Sequence, residues 1–147
     1  MKNKGFTLFI AIVVMGVLLL IATGVVNLAT RQALIASSGQ ESQHAFYAAD
    51  TGIECALYWD VQNPAGFSAF STSTVSSISC NGTSSNVGGS PASTFSFTLT
   101  PDIYCATVTV TKAYVLGVLV TTIESKGYNT CSASNPRRVE RAVRATY

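Results

Sequence analysis

From Phe6 to Leu28 the chain reads "FTLFIAIVVMGVLLLIATGVVNL", without an Asp, Glu, Lys or Arg. As a helix, about 23 residues rising ~1.5 Å each cover about 35 Å, enough to cross the hydrocarbon core of a membrane. An uncharged run of this length marks a span rather than a buried helix of a soluble protein. Beyond it the helical pattern changes character without stopping. Phe46, Ala49, Ile53, Ala56 and Leu57 recur at steps of three and four, and no proline occurs before Pro64. Gln43, Asp50, Glu54 and Asp60 fall largely off this stripe, as expected of an amphipathic segment with a solvated edge. The pattern therefore predicts one helix of about 50 residues from Phe6 to near Trp59: residues 6–28 a transmembrane half, residues 29–60 an amphipathic continuation. Gly24 and Gly39 are its weak points, since an interior glycine costs ~1 kcal/mol against alanine.

"NPAG" at 63–66 ends the helix, because proline cannot continue it and disfavours helical geometry in the residue before. Residues 61–93 are rich in Ser, Thr and Gly and read as an exposed connector fastened by Cys80, with the glycines of "NVGGSP" as turn residues. Asn81-Gly82-Thr83 matches the N-glycosylation pattern, a three-residue match of low specificity in such a stretch. Past Pro91 the period becomes two. "TFSFTLT" and "YCATVTVT" alternate apolar and polar residues, "LGVLVTTIES" follows after a turn expected near residues 112–115, and "VERAVRATY" closes the chain. Short connections favour antiparallel pairing, so residues 94–147 form a sheet of about four strands whose apolar face is covered by the helix stripe. The fold class is α+β.

Charge places the ends. Lys2 and Lys4 are the only basic residues before the span and hold that end in the cytoplasm, leaving the rest outside. A cleaved secretory signal needs a shorter apolar region of about 7 to 15 residues and a small-residue exit, which the run through "VVMGVLLLIATGVV" lacks. The two leader lysines account for the formal charge of +2, so the remainder carries no bulk basic signal for nucleic acid.

Cys55, Cys80, Cys105 and Cys131 all lie on the outer side of the span, where an even count favours disulfides over metal. Three connectivities are open; pairing nearest neighbours, Cys55 with Cys80 and Cys105 with Cys131, closes the smallest loops.

The usual constellations of an enzyme are not legible, and neither catalytic residues, a cofactor nor a metal site is assigned. His44 suits a solvated or subunit-facing role better than that of a base. Asp50 and Glu54 share a helix face and read as a polar edge before a cation site. Arg137, Arg138, Arg141 and Arg144 crowd the last strand. They read first as charges protecting an edge strand from aggregation, and second as a contact for an acidic partner, another subunit or DNA, whose binding would weaken steeply with salt.

The start, "KNKGFTLFIAIVVMGVLLL", resembles the class III signal peptide of the type IV pilin superfamily, and "SSGQESQHAFYAADTGIECALYW" is similar to the N-terminal region of PilX-type minor pilins. The resemblance implies a pilin-like fold, with residues 1–5 as a leader removed by a prepilin peptidase. The cut would lie between Gly5 and Phe6, and Phe6 would become the N-methylated first residue. It further implies a single-pass inner-membrane precursor, assembly with other pilins through helix packing, and export into a pilus. Two departures matter. No cysteine near the C-terminus closes the loop that many major pilins close there. Ile10 stands at the fifth mature position, where most major pilins carry a glutamate thought to neutralise a neighbour's N-terminal amine in the membrane. An unpaired charge there is costly, and a tip subunit has no neighbour ahead to match. The resemblance thus points to a minor pilin, with a pseudopilin of a secretion or DNA-uptake system, or a membrane-anchored adhesive module, as alternatives.

Overall fold

The computed structural model describes residues 4–63, 66–100 and 104–147. Met1 to Asn3, which hold Lys2 and most of the expected leader, and Pro64 of the helix-ending "NPAG" lie outside the described residues. The element order is one helix, α1 (Lys4–Val61), followed by β1 (Val75–Cys80), β2 (Thr83–Gly88), β3 (Ala92–Leu99), β4 (Tyr104–Val115), β5 (Val118–Tyr128) and β6 (Glu140–Thr146). The chain divides into two compact units, residues 1–39 and residues 40–147.

In the first unit the large apolar side chains of α1, from Phe6 through Leu28, are exposed. This helix is long and apolar enough to cross a membrane. Ordinary globular helices hide such a face against a core; here the face is exposed among the described residues. Thr23 and Thr30 return their hydroxyls to carbonyls three or four residues back, so those polar groups are satisfied within the helix.

The second unit is a small α+β head. Strands β3-β4-β5-β6 form one antiparallel sheet in sequence order, and β1-β2 form a separate antiparallel hairpin. The period of two works as it should: along β3, Ser93, Phe95 and Phe97 point inward while Thr94, Ser96 and Thr98 point out. Phe70, Ile78, Val87, Phe95, Val108 and Ile123 meet Ile53 and Ala56 of α1 in a single apolar cluster. Phe70 stacks on Phe95 at 5.9 Å between ring centroids, and Phe95 on Phe97 at 6.3 Å.

Four sequence expectations need correction. Residues 61–93 are not a bare exposed connector: they contain the β1-β2 hairpin, with Ile78, Cys80 and Val87 buried in the core. The reason is Asn81-Gly82, whose φ values of 47° and 77° make the two-residue turn that a tight hairpin needs. The turn expected at residues 112–115 lies later: β4 runs to Val115, and Leu116-Gly117 turn the chain with φ of 52° and 83°. Phe46 is exposed, because the buried stripe of α1 is Ala45, Ala48, Ala49, Gly52, Ile53 and Ala56. Asp60 is not on a solvated edge; its side chain is buried against Lys112.

Candidate functional site

The helix face that meets the sheet is made of the smallest residues. A Cβ added at Gly127 of β5 would stand 2.1 Å from the Ala45 carbonyl oxygen and 2.2 Å from the Ala49 nitrogen. One added at Gly52 would stand 2.2 Å from Ser125 Oγ and 2.8 Å from a methyl of Val108. At Gly127 helix and strand backbones therefore touch with no side chain between them, and at Gly52 the bare helix backbone receives the Ser125 and Val108 side chains, both of which glycine permits. The segment "HAFYAADTGIECA" thus encodes a close docking of α1 on β5, with its large residues Phe46 and Tyr47 turned outward and exposed.

Two bridges fasten the head. The structure joins Cys55 to Cys80 and Cys105 to Cys131, with Cα–Cα distances of 6.1 Å and 5.3 Å. The first ties α1 to β1, a joint reinforced where Trp59 Nε1 donates to the Ser79 carbonyl at 3.1 Å. The second ties β4 to the segment between β5 and β6. Each closes a loop of 25 or 26 residues, for which the chain-entropy model gives about 3 kcal/mol of stabilisation.

Asp60 gathers the C-terminal end of α1, the sheet and the chain terminus at one carboxylate. Lys112 Nζ lies 2.8 Å from Oδ1, the Ser68 hydroxyl donates to Oδ1, and the Tyr147 hydroxyl donates to Oδ2 at 2.5 Å. Burial alone would push this carboxyl up. The hydrogen bonds from Lys112, Ser68 and Tyr147, with the Lys112 charge, outweigh it and hold the carboxyl below its ordinary value. The same arrangement, burial first and then the bond to Asp60, pushes the Tyr147 phenol well up. No sequence motif announces this cluster; Asp60 and Lys112 are 52 residues apart.

The four C-terminal arginines receive different surroundings. Arg138 lies over the Tyr128 ring, its guanidinium carbon 3.7 Å from the centroid. Arg141 Nε donates to Ser42 Oγ at 2.8 Å, reaching α1. Arg144 sits opposite Glu124 in the register of β5 and β6, and the Arg137 backbone is held by the Asn135 side chain. Glu124 and Glu140, both within 4 Å of Lys126, interleave with these cations.

His44 is half-buried, and its ring stacks on Tyr104 at 4.6 Å. Asp50 is half-buried and Glu54 exposed on α1. Among the described residues no group of three His, Cys, Asp or Glu side chains could hold a metal ion. Asn81 is occupied by its turn, and its side-chain amide donates to the Thr98 carbonyl at 2.7 Å. Ile10 is an exposed residue of the apolar helix.

No curated protein and no solved structure matches the chain. A family model does: PilX N-terminal, over residues 4–54. That span takes in the exposed apolar helix together with the small-residue face that docks on β5, the two features that distinguish α1. The family is structural rather than enzymatic. Over residues 4–54 the chain is similar to the N-terminal segment of PilX, a type IV minor pilin family.

Proposed function

We propose that this protein is a minor pilin: a structural subunit that helps to assemble or prime a type IV pilus, at its tip. The observation that carries the reading is the exposed, charge-free surface of α1 from Phe6 to Leu28. Such a surface is stable only against lipid or against other helices of its kind. Residues 6–28 anchor the precursor in the inner membrane with the N-terminus inside, and later pack against other pilins in the filament. Residues 29–60 carry the helix into the head, and the head is the outward surface. Prepilin peptidase cuts between Gly5 and Phe6, removing Lys4 and Lys2, and Phe6 is then N-methylated. Ile10 supports the tip position, since no carboxylate is present there to meet a neighbour's amine.

Mass spectrometry of the mature N-terminus is the direct test. Protein from cells with active peptidase should begin at methylated Phe6, and Gly5→Leu should accumulate as uncut precursor in the membrane. Recovery of intact Met1 or Lys2 from such cells sinks the reading. A pseudopilin would be processed alike, and imaging of sheared filaments for this subunit separates the two.

A further inference from the structure

The outward face of the four-stranded sheet carries a polar groove of about 280 Å³. Thr83, Ser96, Thr98 and Thr107 line it with hydroxyls, and Tyr128 and Arg138 close one side. The hydroxyls of Thr83, Ser96 and Thr107 make no hydrogen bond among the described residues. Arg138 is held flat against Tyr128, its Nε is buried without a hydrogen-bond partner, and no ion pair reaches it among the described residues. Of the described carboxylates near it, Glu124 and Glu140 flank Lys126 at 3.6 and 3.8 Å, and Glu140 also engages the Tyr128 hydroxyl beside the groove. Among the described residues, a pre-positioned guanidinium without an ion pair therefore faces the unengaged hydroxyls of Thr83, Ser96 and Thr107.

We propose that this groove binds an acidic saccharide, with Arg138 taking its carboxylate and the threonine and serine hydroxyls taking its hydroxyl groups. A guanidinium presents a planar fork that matches a carboxylate, and stacking on an aromatic ring fixes the fork in place. Hydroxyl side chains both donate and accept, which suits a polyol whose own groups do both. A nucleic acid fits less well, because a phosphate chain needs several cations in a stripe, and here Glu124 and Glu140 occupy neighbouring positions of the same sheet face. An acidic peptide would leave the hydroxyl wall unused. The Cys105–Cys131 bridge, which lines the same groove, tethers the segment leading to Arg138 onto β4, so the site depends on that bridge.

The test uses the full chain in detergent micelles, titrated calorimetrically with trigalacturonate and, in parallel, with its methyl ester, an Asp/Glu hexapeptide and a single-stranded oligonucleotide. Saturable binding of trigalacturonate is expected, with the methyl ester at least tenfold weaker because the charge-assisted bonds are lost. Arg138→Gln should weaken binding tenfold to a hundredfold and Arg138→Lys less, while Arg137→Gln should leave it unchanged. Near-UV circular dichroism and thiol titration confirm that each variant is folded and bridged. Should Arg138→Gln fail that check, Thr107→Val and Ser96→Ala together take its place, with a tenfold loss expected. Absent saturable binding, equal affinity for the ester, tighter binding of the peptide or oligonucleotide, or a folded Arg138→Gln that binds as the parent does would each overturn the proposal.

Discussion

Lys112 of β4 places its ammonium 2.8 Å from the Asp60 carboxylate near the end of α1, and both side chains are more than nine-tenths buried. A buried pair of this kind is worth little against apolar residues of the same shape, but breaking it strands a charge, at a cost of about 3–5 kcal/mol. Lys112→Met should lower the stability of the head by that amount in urea unfolding followed by tryptophan fluorescence at Trp59. The double variant Asp60→Leu with Lys112→Met should recover much of the loss. Additive losses would show that the pair is not the buried unit described.

The same carboxylate sets the acid limit. Its folded pKa lies below the ordinary value of 3.8, so the unfolded chain takes up the proton first as pH falls. The stabilisation it contributes is full above about pH 4 and is lost as pH drops through the folded value. Asp60→Asn should flatten stability against pH between about pH 4 and 2. Tyr147 acts at the other end: its raised phenol contributes below about pH 10 and loses that contribution as pH climbs through the folded value. Tyr147→Phe should cost about 1 kcal/mol at neutral pH and soften the alkaline decline, both measurable as shifts in the urea midpoint.

Gly127 and Gly39 make opposite predictions from the same substitution. Alanine at Gly127 would drive a methyl into the Ala45 and Ala49 backbone, where no side chain can move aside. A loss of about 3 kcal/mol, or failure of the head to fold, is expected. At Gly39 an added Cβ meets nothing within 4 Å, so Gly39→Ala should raise helix stability by ~1 kcal/mol. Thermal denaturation monitored by circular dichroism distinguishes the two.

Leu116 holds a left-handed backbone at the β4-β5 turn while its side chain is fully exposed. Asparagine tolerates that conformation better than leucine. Leu116→Asn should therefore stabilise the hairpin by about 1 kcal/mol. A fall in the melting temperature would mean that the apolar tip makes contacts of its own.

The two bridges should differ little in strength, since their loops are almost equal in length. Replacing Cys55 and Cys80 together by serine should cost about 3 kcal/mol, and so should replacing Cys105 with Cys131. Only the second replacement should disturb the groove that holds Arg138, which ligand titration reads separately from stability.

The elements of this fold were open to reading wherever a local period expressed them. A charge-free run of membrane length, a stripe at helical spacing and alternation at β3 to β5 each arise within one segment, and the antiparallel sheet of four strands follows from their short connections. The β1-β2 hairpin is legible too in the Asn81-Gly82 pair, but the same residues match a glycosylation pattern, and Ser/Thr-rich composition masks strands whose inward positions are few. Phe46 misled for a related reason. Its bulk suggests burial, whereas a helix that docks backbone on backbone buries its alanines and turns its aromatics out.

What the sequence by itself determined is the character of each segment: a charge-free apolar run of membrane length, an amphipathic continuation, alternating strands, and four cysteines that all follow the apolar run. Those properties are written in short-range spacing and need no knowledge of partners. Only the tertiary structure decided that Asp60 would be buried on Lys112, that Gly127 would receive Ala45 and Ala49, and that Arg138 would lie on Tyr128 beside a groove lined with hydroxyls. Each of these depends on the register in which strands pair and on how closely helix and sheet approach. Side chains tens of residues apart acquire their neighbours, and their charges acquire an environment, only once that packing is complete.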